Sequence, residues 1–344
     1  MLHPTNHLKM KTLLYLGNKL ATKGNTPTSI ETLGNWLENE SFKVIKASSF
    51  QNQLLRLVDM WWYILRFKSE INYILIDTYS TTGFWFSYTS SVLSRIFKLK
   101  YIPILRGGNL PNRLKNNPKL CQHLFGKAYL NIAPSHYLLE AFQKAGFKNL
   151  KYIPNTIEIE KYPFQLRKKA EPNLLYVRSF AHIYNPLLAI KVLKEIVQTY
   201  PKANLSMIGP FKDDSIDQCK AFAKANNLPV TFTGGMPKED WLAYAKDFDI
   251  FINTTNVDNT PVSVIEAMAL GLPVVTTNVG GIPYLLKEDE ALLVPPNNVM
   301  AMTNAITELL ESSAKVEELS IKGRKKVEAF DWQTVKHQWL EILQ

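Results

Sequence analysis

The sequence predicts an α/β protein of two doubly wound domains, each a parallel sheet with helices on both faces. Three observations carry this. The chain has 344 residues, more than a single hydrophobic core comfortably organises. Short apolar runs alternate with longer segments of helical period, the pattern of strands buried on both faces and joined by crossover helices. The series also restarts half-way, after a polar stretch punctuated by Pro154, Pro163 and Pro172.

The first series of expected strands is Thr12–Leu16, Phe42–Ala47, Tyr73–Ile76, Tyr101–Leu105, Asn131–Ala133 and Lys151–Ile153. The second is Asn173–Val177, Asn204–Ile208, Val230–Thr233, Ile250–Asn253, Pro273–Thr276 and Ala291–Val294. These divide the chain into an N-terminal domain over 1–160 and a C-terminal domain over 161–330. A closing helix is expected over 331–344, where Trp332, Val335, Trp339 and Ile342 recur at helical spacing. Doubly wound sheets bind ligands outside the carboxyl ends of their strands, so a crevice faced by both domains is the expected site.

Composition narrows the class. Apolar residues make up 46% and charged residues 20%, which is the balance of an ordered globular chain. Two cysteines, Cys121 and Cys219, supply neither a disulfide framework nor a metal cluster and suit a reducing compartment. The short apolar run Met10–Leu16 has neither the length nor the small-residue cleavage site of a signal peptide, and the expected location is cytoplasmic.

The net charge of +10 is unevenly placed. Residues 1–160 hold 20 Lys or Arg against 9 Asp or Glu, a balance of +11, while 161–344 hold 20 against 21. Such asymmetry marks a lobe that faces something anionic, a membrane or lipid phosphate among the candidates, or else plain solvated lysines. Zinc-finger spacing and RNA-binding aromatic motifs are missing from the sequence, so nucleic acid is not an expected partner. The segment Leu54–Lys68 is rich in leucine and aromatics with basic ends. It is too short to span a bilayer, and suits either a helix packed on the sheet or one lying at a membrane interface.

The most informative stretch is 253–286, NTTNVDNTPVSVIEAMALGLPVVTTNVGGIPYLL. A strand ends at Asn253, a loop follows, and Pro261 opens a helix whose first N–H groups have no intrahelical acceptor. That terminus, with roughly half a unit of positive charge, is a site for a phosphate group that needs no metal ion. Asp258 lies in the loop and Glu266 inside the helix, so two carboxylates flank the terminus.

This string resembles glycosyltransferase family 4, retaining transferases with the GT-B fold of two Rossmann-like domains facing each other across a cleft. The resemblance rests on Asp258 and Glu266, Ala267–Ala269, Gly271, Pro273–Val275 and Gly280–Gly281. It implies that Glu266 accepts hydrogen bonds from the nucleotide ribose, that Asp258 reaches the hydroxyls of the donor sugar, and that backbone amides around Thr260, Pro261, Val262 and Ser263 meet the phosphates. The family's first acidic place is Asp in this chain, which shortens its reach by one methylene. Arg178, ending the strand Asn173–Val177, matches the Arg that contacts the diphosphate. The accompanying Lys does not, because Tyr184, Asn185 and Pro186 stand where Lys-Gly is common; Lys191 is expected to be a solvated helix residue.

Further expectations follow from the resemblance. Gly235 and Met236 in the turn FTGGMP line the nucleobase. Gly24 and Asn25, in the loop GNKLATKGNT after the first strand, approach donor phosphate and acceptor, or form a plain surface turn. Arg106, which stands where relatives carry a His, holds a donor carboxylate, an acceptor phosphate or only its own domain. His136 is a cleft ligand or a cap neighbour, and Asn155 supports the hinge. The implied activity moves a sugar with retention from a nucleotide-sugar donor to a lipid-linked or polysaccharide acceptor, in cell-surface glycan synthesis, with no metal or other cofactor. Two rivals remain: another GT-B enzyme such as a sugar-nucleotide 2-epimerase, and a two-lobed binding protein without chemistry.

Overall fold

The structure, a computed structural model, describes residues 10–19 and 28–344; Gly24 and Asn25 lie outside the described residues. The chain forms two compact units. One contains residues up to Ala133, Leu139–Tyr152 and Leu340–Gln344; the other contains Pro134–Leu138 and Ile153–Trp339.

The first unit is built on a parallel sheet of six strands: β1 (Thr12–Leu16), β2 (Lys43–Ala47), β3 (Ile71–Thr78), β4 (Tyr101–Leu105), β5 (Asn131–Ala133) and β6 (Leu150–Tyr152). Their order is β2-β1-β3-β4-β5-β6. Every residue of β1 is buried, as a central strand covered on both faces requires. The order reverses between β1 and β3, and a doubly wound sheet opens a crevice at such a switch point.

The second unit repeats the plan with β7 (Asn173–Val177), β8 (Asn204–Ile208), β9 (Val230–Gly234), β10 (Ile250–Asn253), β11 (Val274–Thr277) and β12 (Leu292–Val294). Its order is β12-β11-β10-β7-β8-β9, so the switch point falls between β7 and β10. Alternate side chains feed two cores: Leu174 and Tyr176 enter one with Ile190, Leu193 and Met207, while Leu175 enters the other with Phe251, Val264 and Ile265. At roughly 1.5–3 kcal/mol per buried aliphatic side chain, these layers dominate the stability of the unit.

The first unit closes on Tyr152, ahead of the boundary expected at 160. The cause is packing: Ile157 and Tyr162 are buried in the second unit's core. Ile157 also bridges Asp331 and donates its N–H to the Phe330 carbonyl at 3.0 Å. The helix Trp332–Leu343 forms over the expected stretch and buries Trp332, Val335, Trp339 and Ile342. Its last residues, from Leu340 onward, group with the first unit, so 331–344 is not a separate body.

The helix Gln53–Phe67 is apolar on two faces, which its sequence could not resolve into one role. Asn52 caps it, accepting from the N–H groups of Leu54 and Leu55. Arg56, Met60 and Ile64 turn inward, while Leu54, Leu55, Val58, Trp62 and Leu65 are exposed. Among the described residues no helix is long and apolar enough to cross a membrane.

Candidate donor site

The carboxyl ends of β7 and β10, the two strands at the second unit's switch point, supply the residues that the sequence singled out. Arg178 directly follows β7. Its Nη2 donates to Asp258 Oδ2 at 2.5 Å, and its guanidinium lies 4.2 Å from the centroid of the Tyr184 ring. Burial disfavours its charge, but Asp258 first and then Tyr184 and Tyr176 outweigh that and raise its pKa, so the cation is secure. Its Nε is buried without a partner.

The backbone holds this cation closely. The Arg178 N–H donates to the Ile208 carbonyl at 3.0 Å, and a Cβ on Gly209 would lie 2.0 Å from the Arg178 carbonyl oxygen. Gly209 therefore permits a backbone approach that any side chain would block. Tyr184 is fixed from β10's side, where Thr254 Oγ1 donates to the carbonyls of Tyr184 and Asn185 at 3.0 and 2.8 Å. Asn185 takes the left-handed conformation, φ +47°, before Pro186 opens the next helix.

After β10 the loop carries Asp258, Asn259 and Thr260, all buried, into the helix Val262–Ala269 with Pro261 as its N-cap. The N–H of Asn259 donates to Asp258 Oδ1 at 2.8 Å. Ser135 donates to Asn259 Oδ1, Thr260 Oγ1 donates to the Pro134 carbonyl at 3.3 Å, and Asn155 donates to the Thr260 carbonyl at 3.0 Å. The first intrahelical bonds come from Val264 and Ile265 to the Pro261 carbonyl, which leaves the N–H groups of Val262 and Ser263 ahead of the ladder. Val262 is exposed, and Ser263 Oγ is buried with no partner. A helix start with spare amides and an orphaned hydroxyl is suited to an anion.

The Gly-Gly turn explains why this loop keeps its shape. The Gly281 N–H donates to the Asp258 carbonyl at 3.1 Å. A Cβ on Gly280, where φ is +54°, would lie 2.1 Å from the Asp258 carbonyl oxygen, and one on Gly281 would lie 1.9 Å from that of Asn259. The pair is therefore a buttress against which the Asp258–Asn259 backbone rests.

Glu266, inside the helix and buried, accepts at Oε1 from the Tyr162 hydroxyl at 2.8 Å and from Lys238. Burial first, and the Glu266 charge next, push the Tyr162 hydroxyl far above the usual phenol range, so it stays a donor. Tyr162 and Lys238 are the residues that sequence reasoning missed. Lys238 follows the turn that carries Gly235 and Met236, and its Nζ lies 5.1 Å from the Tyr162 ring centroid. Each carboxylate thus has a cation from a different strand end, Arg178 on Asp258 and Lys238 on Glu266. The only sequence signal was a Lys just beyond a Gly-Gly-x-Pro turn.

The remaining expected residues differ in burial. His136 is exposed at the first position of the helix His136–Lys144, and Lys191 is exposed. Arg106, in the first unit, is buried against Asp77 Oδ1 at 3.0 Å with its Nη2 3.4 Å from the Tyr15 hydroxyl. Of the three roles open to it, this geometry fits the cation held within its own domain.

Residues 158–326, which hold Arg178, Lys238, Asp258 and Glu266, match the model of the group 1 glycosyl transferases. Over nearly the full chain the fold is similar to solved structures. The Anabaena HepE protein in complex with UDP superposes with a TM-score of 0.75 at 18% identity, covering 97% of this chain and 99% of that one. The sucrose-phosphate synthase of Thermosynechococcus elongatus gives 0.77 at 16% identity, covering 96% and 98%. The fold is GT-B. Among curated relatives, the sulfoquinovosyl transferase of Arabidopsis thaliana is 28% identical over 150 residues, 42% of this chain and 28% of that protein. The glycogen synthase of Mycobacterium tuberculosis is 26% identical over 197 residues, 55% of this chain and 47% of that protein. The matched part therefore spans less than half the length of these two relatives.

Proposed function

We propose that this protein is a retaining glycosyltransferase of family 4 that takes a sugar from a nucleotide-sugar donor held by its second unit. The observation that carries the reading is the helix start at Pro261. Spare amides and the orphaned Ser263 hydroxyl meet there a loop whose Asp258 is paired to Arg178, within the segment that matches group 1 glycosyl transferases. The solved HepE complex contains UDP, which makes a nucleoside diphosphate the natural occupant to test.

In this reading the diphosphate lies over the amides of Val262 and Ser263, and Arg178 offsets the charge that builds on the leaving group. Glu266 receives the ribose hydroxyls, Asp258 the sugar hydroxyls, and the turn at Gly235–Met236 the base. The acceptor attacks on the face the nucleotide leaves, which retains the anomeric configuration without a covalent enzyme intermediate. The helix terminus and Arg178 supply the positive charge, so turnover requires no metal and survives chelation by EDTA. A panel of nucleotide sugars, followed for nucleoside diphosphate release with and without glycan or lipid-linked acceptors, tests the assignment. Release that grows with one acceptor supports it; a bound donor that is never consumed under any condition refutes it and favours a two-lobed binding protein.

We further propose that the first unit takes the acceptor and works at a membrane, in cell-surface glycan synthesis. The exposed stripe of Leu54, Leu55, Val58, Trp62 and Leu65 ends in exposed Arg66 and Lys68, and it lies in the half of the chain whose balance is +11. An apolar face with basic flanks suits the surface of an anionic bilayer. Flotation with anionic vesicles at low salt is expected to carry the protein upward, and Trp62→Ser with Leu65→Ser to leave it at the bottom. Wild-type protein that stays in solution would sink this part of the reading.

A further inference from the structure

The first unit contains a cavity of about 120 Å³ at the carboxyl ends of β1 and β3, that sheet's switch point. Leu16, Gly17 and Asn18 form one wall, Ile76 and Asp77 another, and the helix Gln53–Phe67 contributes Gln53, Arg56 and Met60. The position is where a doubly wound sheet binds ligands. Two side chains on its wall have unused bonding capacity of opposite kinds.

Arg56 is more than nine-tenths buried. Its Nε donates to the Phe50 carbonyl at 2.8 Å, its Nη1 to Asn18 Oδ1 at 2.7 Å and its Nη2 to the Gln51 carbonyl at 3.2 Å. All three acceptors are neutral, and among the described residues no carboxylate pairs with it. A guanidinium has five N–H donors, so two remain unspent. A buried cation without a counter-charge is costly to keep, and an anionic ligand would remove that cost.

Asp77 is the complement. Its Oδ1 is occupied by Arg106 and by the Tyr15 hydroxyl, each at 3.0 Å, while Oδ2 is buried with no partner. An ideal Cβ on Gly17 would lie 2.9 Å from that oxygen, so glycine keeps the space beside Oδ2 open. Oδ2 can accept from a hydroxyl, and its charge is already matched by Arg106, so it does not neutralise Arg56.

We propose that this cavity binds the phosphate-bearing, hydroxylated end of the acceptor, with Arg56 on the phosphate and Asp77 Oδ2 accepting from a neighbouring hydroxyl. The role as acceptor rests on the glycosyltransferase reading; the binding chemistry does not. The volume suits a phosphate with part of a polyol rather than a whole oligosaccharide.

The test uses the full chain and glycerol 1-phosphate, inorganic phosphate and glycerol as probes, with binding read by ligand-observed NMR at low salt. Glycerol 1-phosphate is expected to bind best, phosphate more weakly and glycerol not at all. Arg56→Gln is expected to weaken glycerol 1-phosphate about tenfold or more, the worth of a charge-assisted hydrogen bond, with Arg56→Lys recovering part of the loss. Thr82→Trp is the second variant: Thr82 is exposed on the cavity rim and its side chain makes no capping bond, so it blocks the cavity while the Arg56 hydrogen bonds stay intact. Near-ultraviolet circular dichroism of each variant verifies the fold. A lipid source is indicated if dihexanoyl phosphatidylglycerol, as monomer, binds more tightly than glycerol 1-phosphate; the reverse indicates a soluble phosphate. Binding that is absent in wild type, or equal in wild type and in folded Thr82→Trp, overturns the proposal. Failure of nucleoside diphosphates to bind would instead refute the donor site and leave this measurement readable.

Discussion

Replacing Arg178 by Met separates the structural from the chemical part of the donor site. The Arg178–Asp258 pair is 2.5 Å long with side chains only 19% and 9% exposed, so the substitution leaves a buried carboxylate whose Oδ2 is bare and whose Oδ1 retains the Asn259 N–H. Removing one partner of a buried ion pair costs about 3–5 kcal/mol, and the partial exposure of Arg178 places this case near about 3 kcal/mol. With a urea m-value of roughly 2 kcal/mol/M, the midpoint falls by about 1.5 M. The double variant Arg178→Met, Asp258→Asn removes the orphaned charge and should recover about 2 kcal/mol, a coupling expected of contacting residues. Turnover behaves differently. Both variants lose the cation that the proposed function sets against the leaving group, and both should lose about 100- to 1,000-fold in nucleoside diphosphate release. Urea unfolding and a coupled release assay on the four proteins of this cycle decide the matter. Equal destabilisation of single and double variants would refute the structural argument, and a double variant with wild-type turnover would refute the chemical one.

Other outcomes follow from the same geometry. Tyr162→Phe removes one of the two donors on Glu266 Oε1 and should cost about 1.5–3 kcal/mol, the worth of a hydrogen bond to a charged group; an unchanged urea midpoint would contradict it. Gly281→Ala places a methyl 1.9 Å from the Asn259 carbonyl, so it should cost about 1–3 kcal/mol and weaken nucleotide binding, whereas wild-type affinity would show that the Asp258–Asn259 backbone is not set by that turn. Burial raises the thiol pKa of Cys121 to about 11 and of Cys219 to about 12. At pH 8 the folded protein should therefore react with a disulfide reagent far more slowly than the urea-unfolded chain, with the native rate rising only as pH climbs toward those values; rapid native labelling would contradict that burial.

The strands were legible because both faces of each sheet are covered. A run such as Thr12–Leu16 is mostly apolar and uniformly buried, and β7 sends alternate residues into two cores, so neither depends on distant context. The acid-bearing helix was legible for a local reason as well: Pro261 and the loop before it fix the terminus within a few residues. Long-range pairing was illegible. Tyr162 meets Glu266 across 104 residues and Arg106 meets Asp77 across 29, and no local pattern encodes either. Lys238 carries no local signal of its own, because its pairing with Glu266 depends on where the β9 turn delivers it. The helix Gln53–Phe67 was ambiguous for a physical reason, since a helix buried on one face and apolar on the other has too little periodicity to reveal which face is covered.

The central claim is that the helix start at Pro261, faced by Arg178, binds the diphosphate of an activated sugar. Calorimetric titration of the full chain with a nucleoside, its monophosphate and its diphosphate, run for each common base, measures this directly. The account predicts one base for which the diphosphate binds at least about tenfold more tightly than the nucleoside, with Arg178→Met abolishing that advantage. A nucleoside that binds as tightly as its diphosphate, or a diphosphate advantage untouched by Arg178→Met, would contradict it.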